Sequence, residues 1–577
     1  MNRKIWKALG IAVCMLALAA PRAMAETHRV GSEKQFKDAV EAINKPGDAK
    51  NEIILTQDIT LGGDPTQYTL YTLSRGETTI KGGGNKITIS NAGITVAKKG
   101  TVLNLGANGY DGTLTIDGKT SGGFVSVLEG ATANMYEHVT LQNWTSAGNA
   151  CVVIMGSDPV TGSKSVFNMH GGVIEKCSRA VMADSGTTFN MYGGEIRNRE
   201  GSRGSGVHVF EATFVMSGGT ISGCTANEGG GLYADNSIVT INNGTISGCT
   251  ANAGGGLYAK NQSTIIINNG TISGCKASLG AGGGLYATNQ STITISGGTI
   301  SGCKAPSSDK GNGSGLYANN STVTISGGTI TAAGSDGAAG IGGGYYNGAT
   351  VTITGDAVIK NASSTKYGAG IGGGNGSDGN VTISGNAKIE NATGGYGAAG
   401  IGGGAFSSPD KIGNGNVVIK DNAKIDNVQG GAYGAGIGGG IYGLSNVTIE
   451  GNTKVNATGG AGGAAIGGGA GAENNSDNNG NQITIKSNEN GSPTINAVGG
   501  GTDEGEKIVI GGAGIGAGCE SNADADITLE GKVTITATAG KDNVAIGANG
   551  IEQEFSGLAE GSSITRYDPE GNDITLP

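Results

Sequence analysis

Apolar and small polar residues alternate along this chain in stretches of about four, and the stretches recur. In TVTI (322–325), Val323 and Ile325 point one way and Thr322 and Thr324 the other, the period-two pattern of a half-buried strand. Four segments fall into one register: GGGLYADNSIVTINNGTISGC (229–249), GGGLYAKNQSTIIINNGTISGC (254–275), GGGLYATNQSTITISGGTISGC (282–303) and GSGLYANNSTVTISGGTITAA (313–333). The unit is a first strand (GLYA), a turn, a second strand (TVTI), a Gly-Gly turn and a third strand (GTISGC). Further on, the first strand becomes AGIGGG at Ile341, Ile371, Ile401, Ile437 and Ile466. The second persists as TVTI (350–353), NVTI (380–383), NVVI (416–419), NVTI (446–449) and QITI (482–485). Looser copies precede them: SVFNMHGGVIEKC (165–177), TTFNMYGGEIRNR (187–199) and ATFVMSGGTISGC (212–224).

A four-residue strand cannot bury its apolar side alone. Wound and stacked, such strands bury one continuous column and pair every backbone group with the coil above or below. The pattern therefore predicts an all-β parallel solenoid with three short strands per coil. At ~4.8 Å per coil, about sixteen coils make a rod roughly 75–80 Å long. At the start, Ser32 followed by Phe36, Ala39, Val40 and Ile43 predicts a short N-capped amphipathic helix covering the open end. NEIILTQDITL (51–61) and TTIKGGGNKITIS (78–90) read as the first coils, and GSSITRYDPEGNDITLP (561–577) as a last, polar one. The expected organisation is a leader (1–25), a cap (26–50), irregular first coils (51–228), regular GGGLYA/TISGC coils (229–333) and AGIGGG-type coils to the end (334–577).

Two columns follow from the register. Gly223, Gly248, Gly274 and Gly302 share a position with Asn198, Asn361, Asn391 and Asn427; Gly and Asn both tolerate positive φ, so a left-handed corner is expected there, with the Asn members stacked as a ladder. Cys177, Cys224, Cys249, Cys275 and Cys303 share another, later held by Ala333, Ala362, Ala392 and Val428. Interchange with Ala and Val marks small buried hydrophobes. Disulfides between neighbouring coils are the alternative, and thiols in a line do not supply the tetrahedral set that zinc prefers. The seven Cys beyond the leader are an odd number, which leaves at least one thiol free or pairing between chains.

Composition sharpens the picture. Of 577 residues 114 are Gly, yet no Gly-X-Y triplet runs through the chain, so collagen is excluded; 36% hydrophobic residues on a fixed pattern exclude simple disorder. Arg3, Lys4 and Lys7, the apolar run ALGIAVCMLALAA and small residues at Ala23 and Ala25 describe a cleavable secretory leader. Its loss removes four positive charges and takes the net charge from −10 to −14. An acidic chain without a Lys/Arg cluster is a poor partner for nucleic acid or anionic membranes. No apolar run beyond the leader is long enough to span a bilayer. The expected location is outside the cell or on its surface.

Charge is densest at 175–211. Glu175 lies one coil from Arg197, so a cross-coil ion pair is expected; a shallow sugar or peptide site would involve Glu195, Arg197, Arg199, Arg203 and His208. Tyr233, Tyr258, Tyr286 and Tyr317 alternate with Leu in Gly-Leu-Tyr-Ala. With Leu inside, the tyrosines form an exposed column able to meet sugar rings. The AGIGGG segments lack the Lys-Ser/Thr of a phosphate loop and read as tight corners. Outward pairs such as Thr292/Thr294, Thr322/Thr324 and Thr350/Thr352 raise ice binding as a remote alternative, although Thr's strand preference explains them.

The run TQDITL, TTIKGGGNKITI and the GGGLYA…TVTISGGTISGC repeats resemble the right-handed parallel β-helix of the pectin-lyase-like superfamily. In style they are similar to autotransporter passengers and polymorphic-outer-membrane-protein-like surface adhesins, over most of 50–575. The resemblance implies a right-handed parallel β-helix displayed outside a cell, with extracellular glycans or host-surface proteins as partners. It specifies function weakly. The superfamily also includes polysaccharide lyases and hydrolases, which makes such an enzyme the alternative. None of the four His lies in a Gly-His-Gly turn, and no Asp-Asp pair or Asn-Thr-Asp turn occurs. Neither the paired carboxylates of hydrolysis nor a cofactor or metal set is legible. The expectation is a non-catalytic, adhesin-like or structural rod without a terminal membrane barrel.

Overall fold

The computed structural model describes residues 26–575 except 47–49, 65, 120–124, 146–149, 159, 198–204, 280–281, 306–314, 335–336, 406–410, 474–479 and 502–509. The leader therefore lies outside the described residues. Equivalent strands of successive coils pair in parallel and form three long sheets of 18, 18 and 19 strands. In the first-strand sheet Leu232, Leu257, Leu285, Leu316 and Ile341 stand in register. In the second, Val239, Ile265, Ile293, Val323 and Val351 do so. In the third, Ile221, Ile246, Ile272, Ile300 and Ile330 do so. The result is a parallel solenoid of about 17 turns, close to the sixteen expected. Near its end Ile546–Ala548 pairs antiparallel with Ile551–Glu552.

The three inner faces enclose one column of buried Ile, Leu, Val, Met, Ala and Cys. Each fully buried aliphatic side chain contributes about 1.5–3 kcal/mol. Phe167, Phe189 and Phe214 stack along it at 5.3 and 5.0 Å. The N-terminal cap is as expected. Helix α1 (Glu33–Ile43) is capped by Ser32, whose hydroxyl accepts from the Gln35 N–H at 3.3 Å, and it buries Phe36, Ala39, Val40 and Ile43. Glu33 anchors it, accepting from Tyr71 Oη at 2.6 Å and from the Gly62 N–H at 2.7 Å. A strand at Glu26–Val30, unheralded in the pattern, pairs with Lys50–Leu55 and closes the second-strand sheet.

The corners partly depart from expectation. Gly223, Gly248, Gly274 and Gly302 are left-handed, with φ of 59, 59, 60 and 63°. Asn361, Asn391 and Asn427 are not. In the Asn361 and Asn427 coils the third strand runs on, as Val358–Ser363 and Lys424–Gln429, whereas in the Asn391 coil it divides into Lys388–Ile389 and Ala392–Thr393; shifts of register at Ile330/Thr331 and Ile425/Val428 absorb the extra residues. Asn427 still donates to Asn391 Oδ1 at 3.1 Å, one rung of the expected ladder; Asn198 lies outside the described residues. Left-handed Asn occurs instead after the first strand, at Asn236, Asn261, Asn289 and Asn320. There Asn289 donates to Asn261 at 2.9 Å and Asn261 to Asp235 at 2.8 Å.

All seven Cys of the described residues are buried, and none of them is joined in a disulfide. Cys249 Sγ donates to the Ser247 carbonyl at 3.4 Å, and its neighbours repeat the contact. Their column continues through Ala332, paired with Ala362, and not through exposed Ala333, because the register shift advances the strand by one residue. In the AGIGGG coils the first strand shrinks to Ile-Gly pairs whose glycines pack backbone against backbone. A Cβ on Gly372 (φ 131°) would lie 2.2 Å from the Gly402 carbonyl oxygen.

Candidate functional site

The expected site residues divide between two sheets. Glu195 and Arg197 lie on the third-strand sheet, where Arg197 Nε meets Glu175 Oε2 at 2.8 Å and Arg197 Nη1 meets Glu195 Oε2 at 3.0 Å. The cross-coil pair is present, and the Glu175 contact holds the guanidinium above its usual range. His208 belongs to the first-strand sheet, so sequence neighbours do not form one cluster. Strand alternation and the intervening corner separate them. Arg199 and Arg203 lie outside the described residues.

His208, Tyr233, Tyr258, Tyr286 and Tyr317 are register partners and form one stack. Successive ring centroids lie 4.4, 5.7, 4.9 and 4.8 Å apart. As expected, Leu faces the core and Tyr the opposite side. The expected exposure is wrong: Tyr233, Tyr258 and Tyr317 are only 8, 7 and 4% accessible, and Tyr286 is half-buried. Each ring is covered by the rings of the adjoining coils, and the backbone at Gly254 and Gly282 turns back against the Tyr258 and Tyr286 Cβ atoms. The stack offers edges and hydroxyls to a ligand rather than open faces.

Beside it an extra three-stranded parallel sheet, Thr225–Glu228, Thr250–Ala253 and Lys276–Ala277, forms a flank that the sequence pattern did not announce. Its strands are short and carry a single inward Ala each. Between flank and stack lies a groove of about 600 Å³, lined by Arg179, Ser205, His208, Glu228, Tyr233 and Asn252 among others. Ser205 is buried, and its hydroxyl has no hydrogen-bond partner. Such an orphan costs about 1–3 kcal/mol unless a ligand or water satisfies it.

The charges around the groove are arranged in both signs. Burial, helped by the Arg179 charge, lowers His208 to about 4, so its imidazole is neutral at physiological pH. Burial also raises the Tyr233 hydroxyl, which donates to Asp235 Oδ2 at 3.3 Å. Lys260 meets Asp235 at 3.3 Å and lies 5.1 Å from the Tyr233 ring. Arginine, carboxylate, amides and hydroxyls beside Ala226, Ala253 and Leu279 suit a ligand rich in hydroxyls with apolar C–H faces. No group of three or more His, Cys, Asp or Glu able to hold a metal occurs among the described residues.

Residues 150–330 and, in an overlapping second match, 205–388 match the family described as "Right handed beta helix region". No curated protein and no solved structure matches the chain.

Proposed function

From its fold, a right-handed parallel β-helix, we propose that this chain is an exported, surface-exposed rod that binds glycans without turning them over, adhesin-like or structural in role. The groove beside the His208–Tyr317 stack carries this reading: it combines Arg179, Glu228, Asn252 and the orphan Ser205 hydroxyl at a wall of small apolar side chains. Sugars present that mixture of hydroxyls and C–H faces, and a long rod with repeated coils lets several weak contacts act together. The leader-like start supports export.

A glycan array probed with residues 26–577 tests the reading. Binding to defined glycans that weakens in Arg179→Ala and Tyr233→Ala is expected. Incubation with polyuronates and neutral polysaccharides should release no new reducing ends or unsaturated products; steady release would replace this reading with that of a polysaccharide-active enzyme.

A further inference from the structure

A second groove, of about 610 Å³, opens at the other end of the same strands, where the first strand of a coil turns into the second. It runs over five successive coils, from Phe210 and Glu211 to Asn320. The turn is left-handed in all five, at Glu211, Asn236, Asn261, Asn289 and Asn320, with φ between 46 and 54°. Two of these coils insert one residue more, Gln262 (φ 62°) and Gln290 (φ 61°), also left-handed. Two residues later stand Thr264 and Thr292, in the register column of Thr132 and Thr188. The same offset in those earlier coils falls on Gly130 and Gly186, both at φ 78°. Asn tolerates a left-handed backbone because its short side chain bonds locally; Gln lacks that relief, and glycine is the natural occupant. Strain kept at two adjacent surface corners points to a use for the side chains.

The amides of Asn261 and Asn289 are engaged in the ladder that ends on Asp235. The others are open to a ligand. The side chains of Asn236 and Asn320 make no hydrogen bond among the described residues. Gln262 Nε2 reaches Gln290 Oε1 only at 3.5 Å, which leaves Gln262 Oε1 and Gln290 Nε2 without a partner there. The charges are mostly committed. Asp235, 7% accessible, accepts from Tyr233 and Asn261 and meets Lys260 at 3.3 Å, and that ammonium also lies 5.1 Å from the Tyr233 ring. Glu211 is exposed and makes no ion pair among the described residues. The lining contains no Lys or Arg, and Phe210, 39% accessible, is its apolar surface.

We propose that this amide-lined groove is a second glycan site, which takes a short run of neutral sugar units laid along the rod axis from Phe210 towards Asn320. A side-chain amide donates and accepts at once, as a sugar hydroxyl does, so the two match without charge. The coils repeat the amides every ~4.8 Å, a step close to that of an extended β-1,4 glycan, and successive sugars meet equivalent groups. Phe210 gives the end sugar a platform for its C–H face. An anionic chain meets the unpaired Glu211 carboxylate and finds Lys260 already held by Asp235. The proposal rests on the reading that the rod meets glycans, at a place distinct from the first groove.

The test is calorimetric titration of residues 26–577 with the β-1,4-linked hexaoses of glucose and of N-acetylglucosamine, with a galacturonate hexaose as the charged control. At least one neutral hexaose should bind the parent, and the Gln262→Gly, Gln290→Gly double variant should lose about tenfold in affinity, the worth of two hydrogen bonds. Its melting temperature should hold or rise, since glycine suits both corners. Phe210→Ala, at an exposed position, should weaken the same ligand. Equal binding by the double variant or by Phe210→Ala, no binding of either neutral hexaose, or tighter binding of galacturonate overturns the amide site. A hexaose lost in Arg179→Ala but kept in the double variant sinks the amide site and leaves the first groove standing; no binding of any hexaose or array glycan sinks both.

Discussion

A methyl group added at Gly372 would meet the Gly402 carbonyl oxygen at 2.2 Å, whereas one added at Gly248 would meet nothing within 4 Å, although both glycines have positive φ. The two substitutions should therefore part company. Gly372→Ala should cost about 3 kcal/mol or more, because both strain and a backbone clash oppose it. Gly248→Asn should stay within about 0.5 kcal/mol, since Asn tolerates the left-handed region. Thermal unfolding of each variant checks the contrast. His208 sets a pH dependence. Its folded pKa of about 4 lies below the ordinary 6.5, so between those values the unfolded chain takes up a proton that the folded chain refuses. Its contribution is nil above pH 6.5 and turns unfavourable as the pH falls, reaching on the order of 2–3 kcal/mol near pH 4. His208→Tyr, which extends the tyrosine stack, should flatten the loss of stability between pH 7 and 5. The cysteines supply a third test at this scale. Contact with the Cys249 thiol, together with burial, pushes the Cys275 thiol up to about 12. An aromatic disulfide reagent at pH 8 should leave the native thiols unreacted and titrate all seven after denaturation.

Single strands explain which features were readable from sequence. The Thr-Val-Thr-Ile alternation and the Phe36–Ala39–Val40–Ile43 spacing each describe an element that buries one face, and both elements formed where the spacing put them. The Glu175–Arg197 pair was equally readable, because a constant repeat makes residues one period apart into neighbours. Exposed as it is, this pair is worth little, and Arg197→Ala should cost under about 1 kcal/mol in thermal unfolding. What escaped had no periodic signature. The flank strands bury one Ala each and are otherwise Thr, Asn, Glu, Lys or half-buried Ala, so no apolar alternation sets them apart from a turn. Tyr233 and its equivalents were placed on the correct side, but alternation says which way a side chain faces and not what lies over it. The cover comes from the neighbouring coils and from backbone turning at Gly254 and Gly282, both set by packing between rungs. The Asn columns show the same limit: a residue compatible with positive φ need not adopt it where a bulge takes up the slack.

Over the whole molecule, sheets of 18 strands at ~4.8 Å spacing make a body about 80 Å long. Helix α1 and the strand Glu26–Val30 cover its N-terminal end, and Phe36 seals the column against Tyr71 at 5.2 Å between ring centroids. Deleting residues 26–46 would bare the Lys50–Leu55 edge and the core beneath it, and exposed strand edges pair with other chains. The truncated protein should self-associate in light scattering while residues 26–577 remain dispersed.

The in-register pairing of Leu232, Leu257, Leu285 and Leu316 makes the intervening repeats interchangeable. Excising residues 254–281 brings Gly282 to the place of Gly254 and leaves every later partner facing an equivalent one. Such a molecule telescopes: its span changes in steps of a single repeat while both ends keep their fittings, so a lineage can lengthen or shorten it like a ruler without redesigning anything along the way.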